Sequence, residues 1–137
     1  MKVLYCSWYE NSKKDMVKAL DILADEVFVI EHSVKEYIGD NKEVEYEVID
    51  ILSNGIDVVI SFDFLPMLSD TCSNYGITYI SWIYDWPNYT LYSKAIYNNA
   101  MKYICLREMG LNYYQNMVWV IYSMQVLQLI QTGLTGN

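Results

Sequence analysis

Apolar residues in this chain fall into short solid runs, and between the runs they recur at helical spacing. The runs predict buried strands at residues 2–6, 27–30, 56–62, 77–82 and 103–106, because a strand covered on both faces needs no polar alternation. Met16, Ala19, Leu20 and Leu23 recur at three- and four-residue steps, which predicts a helix over 13–24 with Ser12 and Asp15 as its capping pair. Val44, Val48, Ile51 and Leu52 predict an amphipathic helix in an acidic segment, ended by Asn54-Gly55. A third helix is predicted over 65–75, with Pro66 in its first turn and Gly76 just past its end. Residues 91–98 read as helical, and residues 107–114 as the opening of another helix. Between the second strand and Val44 the pattern assigns no clear element.

Strands that alternate with helices predict a parallel sheet covered on both faces. Right-handed crossovers then restrict the topology to a Rossmann-like, doubly wound α/β fold. Such sheets bind ligands outside the carboxyl ends of their strands. That rule singles out residues 7–11, 31–33, 63–64 and 84–88, together with Arg107.

A length of 137 residues suits one domain. With 53% hydrophobic and 19% charged residues the chain is expected to fold around a core without covalent staples. A net charge of −8 argues against non-specific nucleic-acid binding, which needs lysine and arginine to displace phosphate counterions. It also leaves no polybasic patch for an anionic membrane. Cys6, Cys72 and Cys105 are odd in number and widely spaced, so they are expected to be free thiols packed as small apolar groups. The first residues contain no signal-peptide core, and the compartment expected is a reducing cytoplasm. The 14 tyrosines are unusual and suit a cleft lined by rings with polar tips.

Phosphate cradles are missing from the sequence. No G-x-G-x-x-G follows the first strand, which runs into Ser7-Trp8, and neither a P-loop nor a G-x-S-x-G nucleophile motif occurs. A single histidine rules out a multi-histidine metal site, and no metal or cofactor is expected in this chain. The densest chemical feature is Ser81-Trp82-Ile83-Tyr84-Asp85-Trp86-Pro87. It places a carboxyl group at a strand end among three large rings. Rings of this kind suit stacking on the apolar face of a sugar, and a partly desolvated Asp85 can accept a hydroxyl proton as a candidate catalytic base. Alternatively, Asp85 caps a turn and the rings are core. His32 is either a ligand contact or a polar strand end. Asp63 either binds ligand or caps the helix after it. Trp8, Tyr9, Glu10 and Asn11 form either a mobile loop over the cleft or an ordinary solvated loop.

Several of these segments together resemble a known family. They are Lys2-Val3-Leu4-Tyr5 with Trp8 and Asn11-Ser12, then Val58-Val59-Ile60-Ser61-Phe62, then Gly76-Ile77-Thr78-Tyr79-Ile80-Ser81-Trp82-Ile83-Tyr84-Asp85 with Pro87, and finally Leu91-Tyr92-Ser93. Over residues 1–107 the chain resembles the N-terminal domain of CgeB-like, spore-maturation-type bacterial glycosyltransferases. Trp86 and Asn88 depart from that pattern, which carries a small or polar residue and a histidine at the matching places. The resemblance implies the N-terminal half of a GT-B architecture, in which two Rossmann-like domains face each other across a cleft. The missing C-terminal domain would hold the nucleotide-sugar donor, and this domain would shape the side that receives a sugar or other glycosylatable acceptor. Trp8, Glu10, His32, Asp63, Tyr84 and Trp86 are the expected substrate-binding residues, with Asp85 facing the cleft.

Residues 111–137 break the pattern. They carry no charge, and residues 117–130 read MVWVIYSMQVLQLI, with no period that leaves a polar face. The run is too short, and too interrupted by glutamine, to predict a membrane span. One reading is a frameshift. Permitted codons from Met117 onward, read two bases later, encode Gly-Leu-Gly-Asn-Ile-Phe-His-Ala, the kind of segment that the resemblance implies before a second domain. On that reading residues 1–110 are a Rossmann-like domain truncated before its partner and inactive alone. The other reading is a genuine apolar helix that docks on the sheet, making the chain a stand-alone binding domain or partner subunit.

Overall fold

The computed structural model describes residues 1–83, 89–98 and 101–105. Five strands form one sheet: β1 (Lys2–Ser7), β2 (Glu26–Glu31), β3 (Val58–Phe62), β4 (Thr78–Ile83) and β5 (Met101–Cys105). Four α-helices lie between the first four strands: α1 (Lys13–Leu23), α2 (Val34–Ile38), α3 (Lys42–Leu52) and α4 (Pro66–Tyr75). The strand order is β2-β1-β3-β4-β5, and every pairing is parallel. This is the doubly wound, Rossmann-like α/β architecture that the alternating pattern predicts.

Side-chain alternation along each strand builds two cores. Val3, Tyr5, Val58, Ile60, Phe62, Ile80 and Trp82 share one face with Met16, Ala19 and Leu20 of α1. Leu4, Cys6, Val59, Tyr79 and Ile83 share the other with Tyr37, Val44, Val48, Leu52, Leu68 and Cys72. The central strands β1 and β3 are buried along almost their whole length, as their solid apolar runs require.

Local signals explain most boundaries. Pro66 opens α4, where its missing N–H costs nothing, and Gly76 closes it with a φ of 66°. Asn41 caps α3 by accepting from the backbone N–H groups of Glu43 and Val44. Ser12 is the N-cap of α1 and Asp15 lies in its first turn, as expected, but the Ser12 side chain makes no capping hydrogen bond. The unassigned stretch after β2 contains α2, opened by a full capping box between Ser33 and Glu36. The helix predicted over 91–98 is instead two short 3-10 turns, Tyr89–Tyr92 and Lys94–Tyr97. Ser93 separates them: its backbone is extended, and its hydroxyl accepts from the Ala95 N–H to start the second turn.

Cys6 and Cys72 are free and buried, as expected. Burial pushes both thiols up, Cys72 to about 12, so neither is a nucleophile near neutral pH. No helix among the described residues is long and apolar enough to cross a membrane. The helix expected at 107–114 and the uncharged segment 111–137 lie outside the described residues.

Candidate functional site

The strand order reverses direction at β1. The chain steps from β1 outward to β2, then returns to place β3 on the opposite side of β1. A crevice forms at such a switch point, beyond the carboxyl ends of the two strands that diverge. Here those ends are Ser7 and Phe62.

A pocket of about 130 Å³ lies at this point, lined by Trp8, Tyr9, Glu10, Asn11, Ser12 and Phe62. Trp8 ties its two sides together, since its indole Nε1–H donates to the Phe62 carbonyl at 2.9 Å. Tyr9 takes a φ of 70°, a left-handed conformation costly for a residue with a bulky side chain. The turn is thus tied to the end of β3 through Trp8, while Tyr9 and Asn11 stay exposed.

Glu10 is the chemically distinctive member. It is only 9% exposed, although the sequence places it in a polar loop. Its Oε2 accepts from the Trp8 backbone N–H at 2.8 Å and stands 3.2 Å from the Ser7 hydroxyl. Its Oε1 is buried and has no hydrogen-bond partner. Burial is the main force that raises the Glu10 pKa above the ordinary carboxylate value, and the nearby Glu31 adds to it.

Ser7 links Glu10 to a second carboxylate. Its hydroxyl stands 3.2 Å from Glu31 Oε2 as well. One hydroxyl has one proton, so Ser7 donates to one carboxylate at a time. Glu31 has another partner, Lys13 Nζ at 2.8 Å, and that hydrogen bond leads the effects that lower its pKa. The two carboxyl groups are thus driven apart: Glu31 is held ionised, and Glu10 is the one that keeps a proton to higher pH.

His32 belongs to a different cluster. Its Nε2 meets Glu47 Oε2 of α3 at 2.5 Å, its Nδ1 lies 3.8 Å from Glu36 of α2, and its ring packs edge-on against Tyr37. Its backbone N–H and the Tyr37 hydroxyl both donate to the Ser7 carbonyl, at 3.1 and 2.9 Å. His32 therefore fastens α2 and α3 to the end of β2, which fits the strand-end reading better than the ligand reading. Asp63 sits at the end of β3 with a φ of 54°. Its N–H donates to the Trp82 carbonyl at 2.6 Å, and its own carbonyl accepts from Ser61 Oγ at 2.8 Å. Asp63 is not the cap of α4, because Leu65 holds that position. The Leu65 N–H is satisfied instead by the hydroxyl of buried Tyr79.

Tyr84, Asp85 and Trp86 lie outside the described residues. Of the expected site residues, the structure brings Trp8 and Glu10 to one pocket and sets Asp63 directly after its wall residue Phe62. Ser7 and Glu31 fall in the strand-end segments 7–11 and 31–33, but no motif in the sequence marks them individually as site residues. Among the described residues, no group of three or more histidine, cysteine or acidic side chains is placed to hold a metal. No family model, curated protein or solved structure matches the chain.

Proposed function

We propose that this chain is the acceptor-side domain of a nucleotide-sugar-dependent glycosyltransferase of the cytoplasm, inactive until joined to a donor-binding domain. The observation that carries this reading is the character of the switch-point pocket. A carboxyl group and aromatic rings line it, no lysine or arginine is among its lining residues, and Lys13 just after it is engaged by Glu31. Such a pocket suits a hydroxyl-bearing acceptor. It does not suit a diphosphate, which needs free positive charge or a glycine-rich turn of backbone N–H groups. The resemblance of residues 1–107 to CgeB-like glycosyltransferases supplies the reaction class, and with it a role for Asp85 at the cleft. Tyr84 and Trp86 beside it would provide rings for a sugar face.

Sequencing the coding DNA from before Leu111 to well past the stop codon tests this reading. The expected result is a second reading frame that continues as another Rossmann-like domain. The chain as it stands should transfer no sugar from nucleotide-sugar donors, and the restored two-domain protein should do so. In that restored protein Asp85→Asn should cut transfer with little change in melting temperature. If no frame continues, the apolar tail is genuine and a stand-alone binding domain replaces the transferase.

A further inference from the structure

We propose that the uncharged segment 117–130 of this chain docks on the sheet face that carries α1, over the half of that face formed by β3 and β4. This contact is separate from the acceptor pocket. It holds however the segment arose, since a shifted frame and a genuine tail put the same residues after β5.

The two faces of the sheet are unequally covered. Residues of α2, α3 and α4 all pack on one face. On the other, α1 is the one helix among the described residues, and it packs chiefly on β1 and β2. A helix with its side chains is about 10–12 Å wide and neighbouring strands lie about 4.8 Å apart, so one helix shelters about two strands. Ile60 and Phe62 of β3, with Ile80 and Trp82 of β4, lie on the same face beyond β1. Yet Ile60 is 1% exposed, and Phe62, Ile80 and Trp82 are each 2% exposed. Parallel sheets need cover on both faces, and α1 is too narrow to supply it here.

Chain length and composition identify the occupant. β5 lies beside β4 and ends at Cys105, so residues 106–137 start next to the half-face in question. The other segments outside the described residues, 84–88 and 99–100, are too short to cover two strands while joining their neighbours. Residues 111–137 carry no charge to strip of water, and 117–130 read MVWVIYSMQVLQLI. The surface that receives them is equally apolar, with the Phe62 and Trp82 rings stacked 5.3 Å apart between Ile60 and Ile80. The half-face is already covered within a single chain, which favours the chain's own segment over a second copy. Left in water, so apolar a segment would be an aggregation hazard.

The test is NMR on the full chain with labelled methyl groups. Nuclear Overhauser contacts are expected between the Trp82 indole protons and methyl groups of residues 117–130. The variants Val126→Asp, Leu127→Asp, Leu129→Asp and Ile130→Asp place a carboxylate on different sides of the segment. At least one should lower the urea midpoint and shift the Trp82 indole resonance, because a docked segment would bury an unpaired charge. Trp82 contacts confined to α1 and the neighbouring strands would overturn the assignment. So would a set of Asp variants that all leave the midpoint and the Trp82 resonance unchanged. In a sample that mixes labelled and unlabelled chains, contacts that cross between molecules would make a second copy the occupant and overturn self-docking. The transferase reading stands or falls separately, on whether the coding DNA continues into a second domain.

Discussion

At the scale of single residues, Glu10 and Tyr9 each carry an unfavourable energy that can be measured. Glu10 is buried with a raised pKa, so the folded protein binds its proton more tightly than the unfolded chain does. Its protonated form stabilises the fold below the unfolded value near 4.5, and that contribution is lost as pH rises through the higher folded value. Glu10→Gln mimics the protonated state. It should melt higher than the parent at pH 7.5, with the gap closing near pH 4. A gap independent of pH would show that the carboxyl does not titrate in the folded state. Tyr9 is 62% exposed, so its ring contributes little burial to offset its left-handed backbone. Tyr9→Gly should stabilise the fold by about 1 kcal/mol, read from urea unfolding. Neither feature was legible in the sequence. Glu10 lies among polar residues, and only the tertiary contact of Trp8 with the end of β3 closes the pocket over it.

Secondary elements were far more legible, because most are written in short-range chemistry. Pro66 and Gly76 mark both ends of α4, and the predicted strand over 56–62 contains β3, Val58–Phe62, which is buried throughout. The misses follow the same logic. Ser33 and Glu36 carry the spacing of a capping box, but α2 is only five residues long and too short to show a hydrophobic period. Residues 91–98 have helical spacing, yet Ser93 competes for the backbone with its own hydroxyl and splits the segment into two turns. The capping box makes α2 testable. Its Tyr37 is fully buried and reaches the Ser7 carbonyl, so the helix supports the end of β1 on which the pocket is built. Ser33→Ala should cost about 1 kcal/mol of stability in urea unfolding. It should also perturb the amide resonances of Ser7 and Trp8. A stability loss with those amides unmoved would mean that α2 does not brace the pocket.

For the whole molecule, topology and charge together decide what the sheet can hold. The order β2-β1-β3-β4-β5 is one of those that alternating strands and helices allow, and it puts the crevice between β1 and β3. In many sheets of this kind that crevice takes a nucleotide, whose phosphates rest on glycine-rich backbone or basic side chains. Here the first turn reads Ser7-Trp8-Tyr9-Glu10-Asn11, and its buried acid occupies the space near the start of α1. Around the ends of β1 and β2 stand Glu10, Glu31, Glu36 and Glu47, against Lys13 and His32, each of which is already engaged by a carboxylate. A net charge of −8 adds a repulsive field at longer range. Nucleoside diphosphates should therefore fail to bind the isolated chain at about 1 mM, a free energy weaker than about −4 kcal/mol. Calorimetry at low salt is the stringent check, because weak screening favours any hidden basic site. Saturable binding of a nucleoside diphosphate would place a nucleotide site in this chain and overturn the proposed acceptor-side reading. Absence of that binding is the outcome that the proposed acceptor-side reading expects.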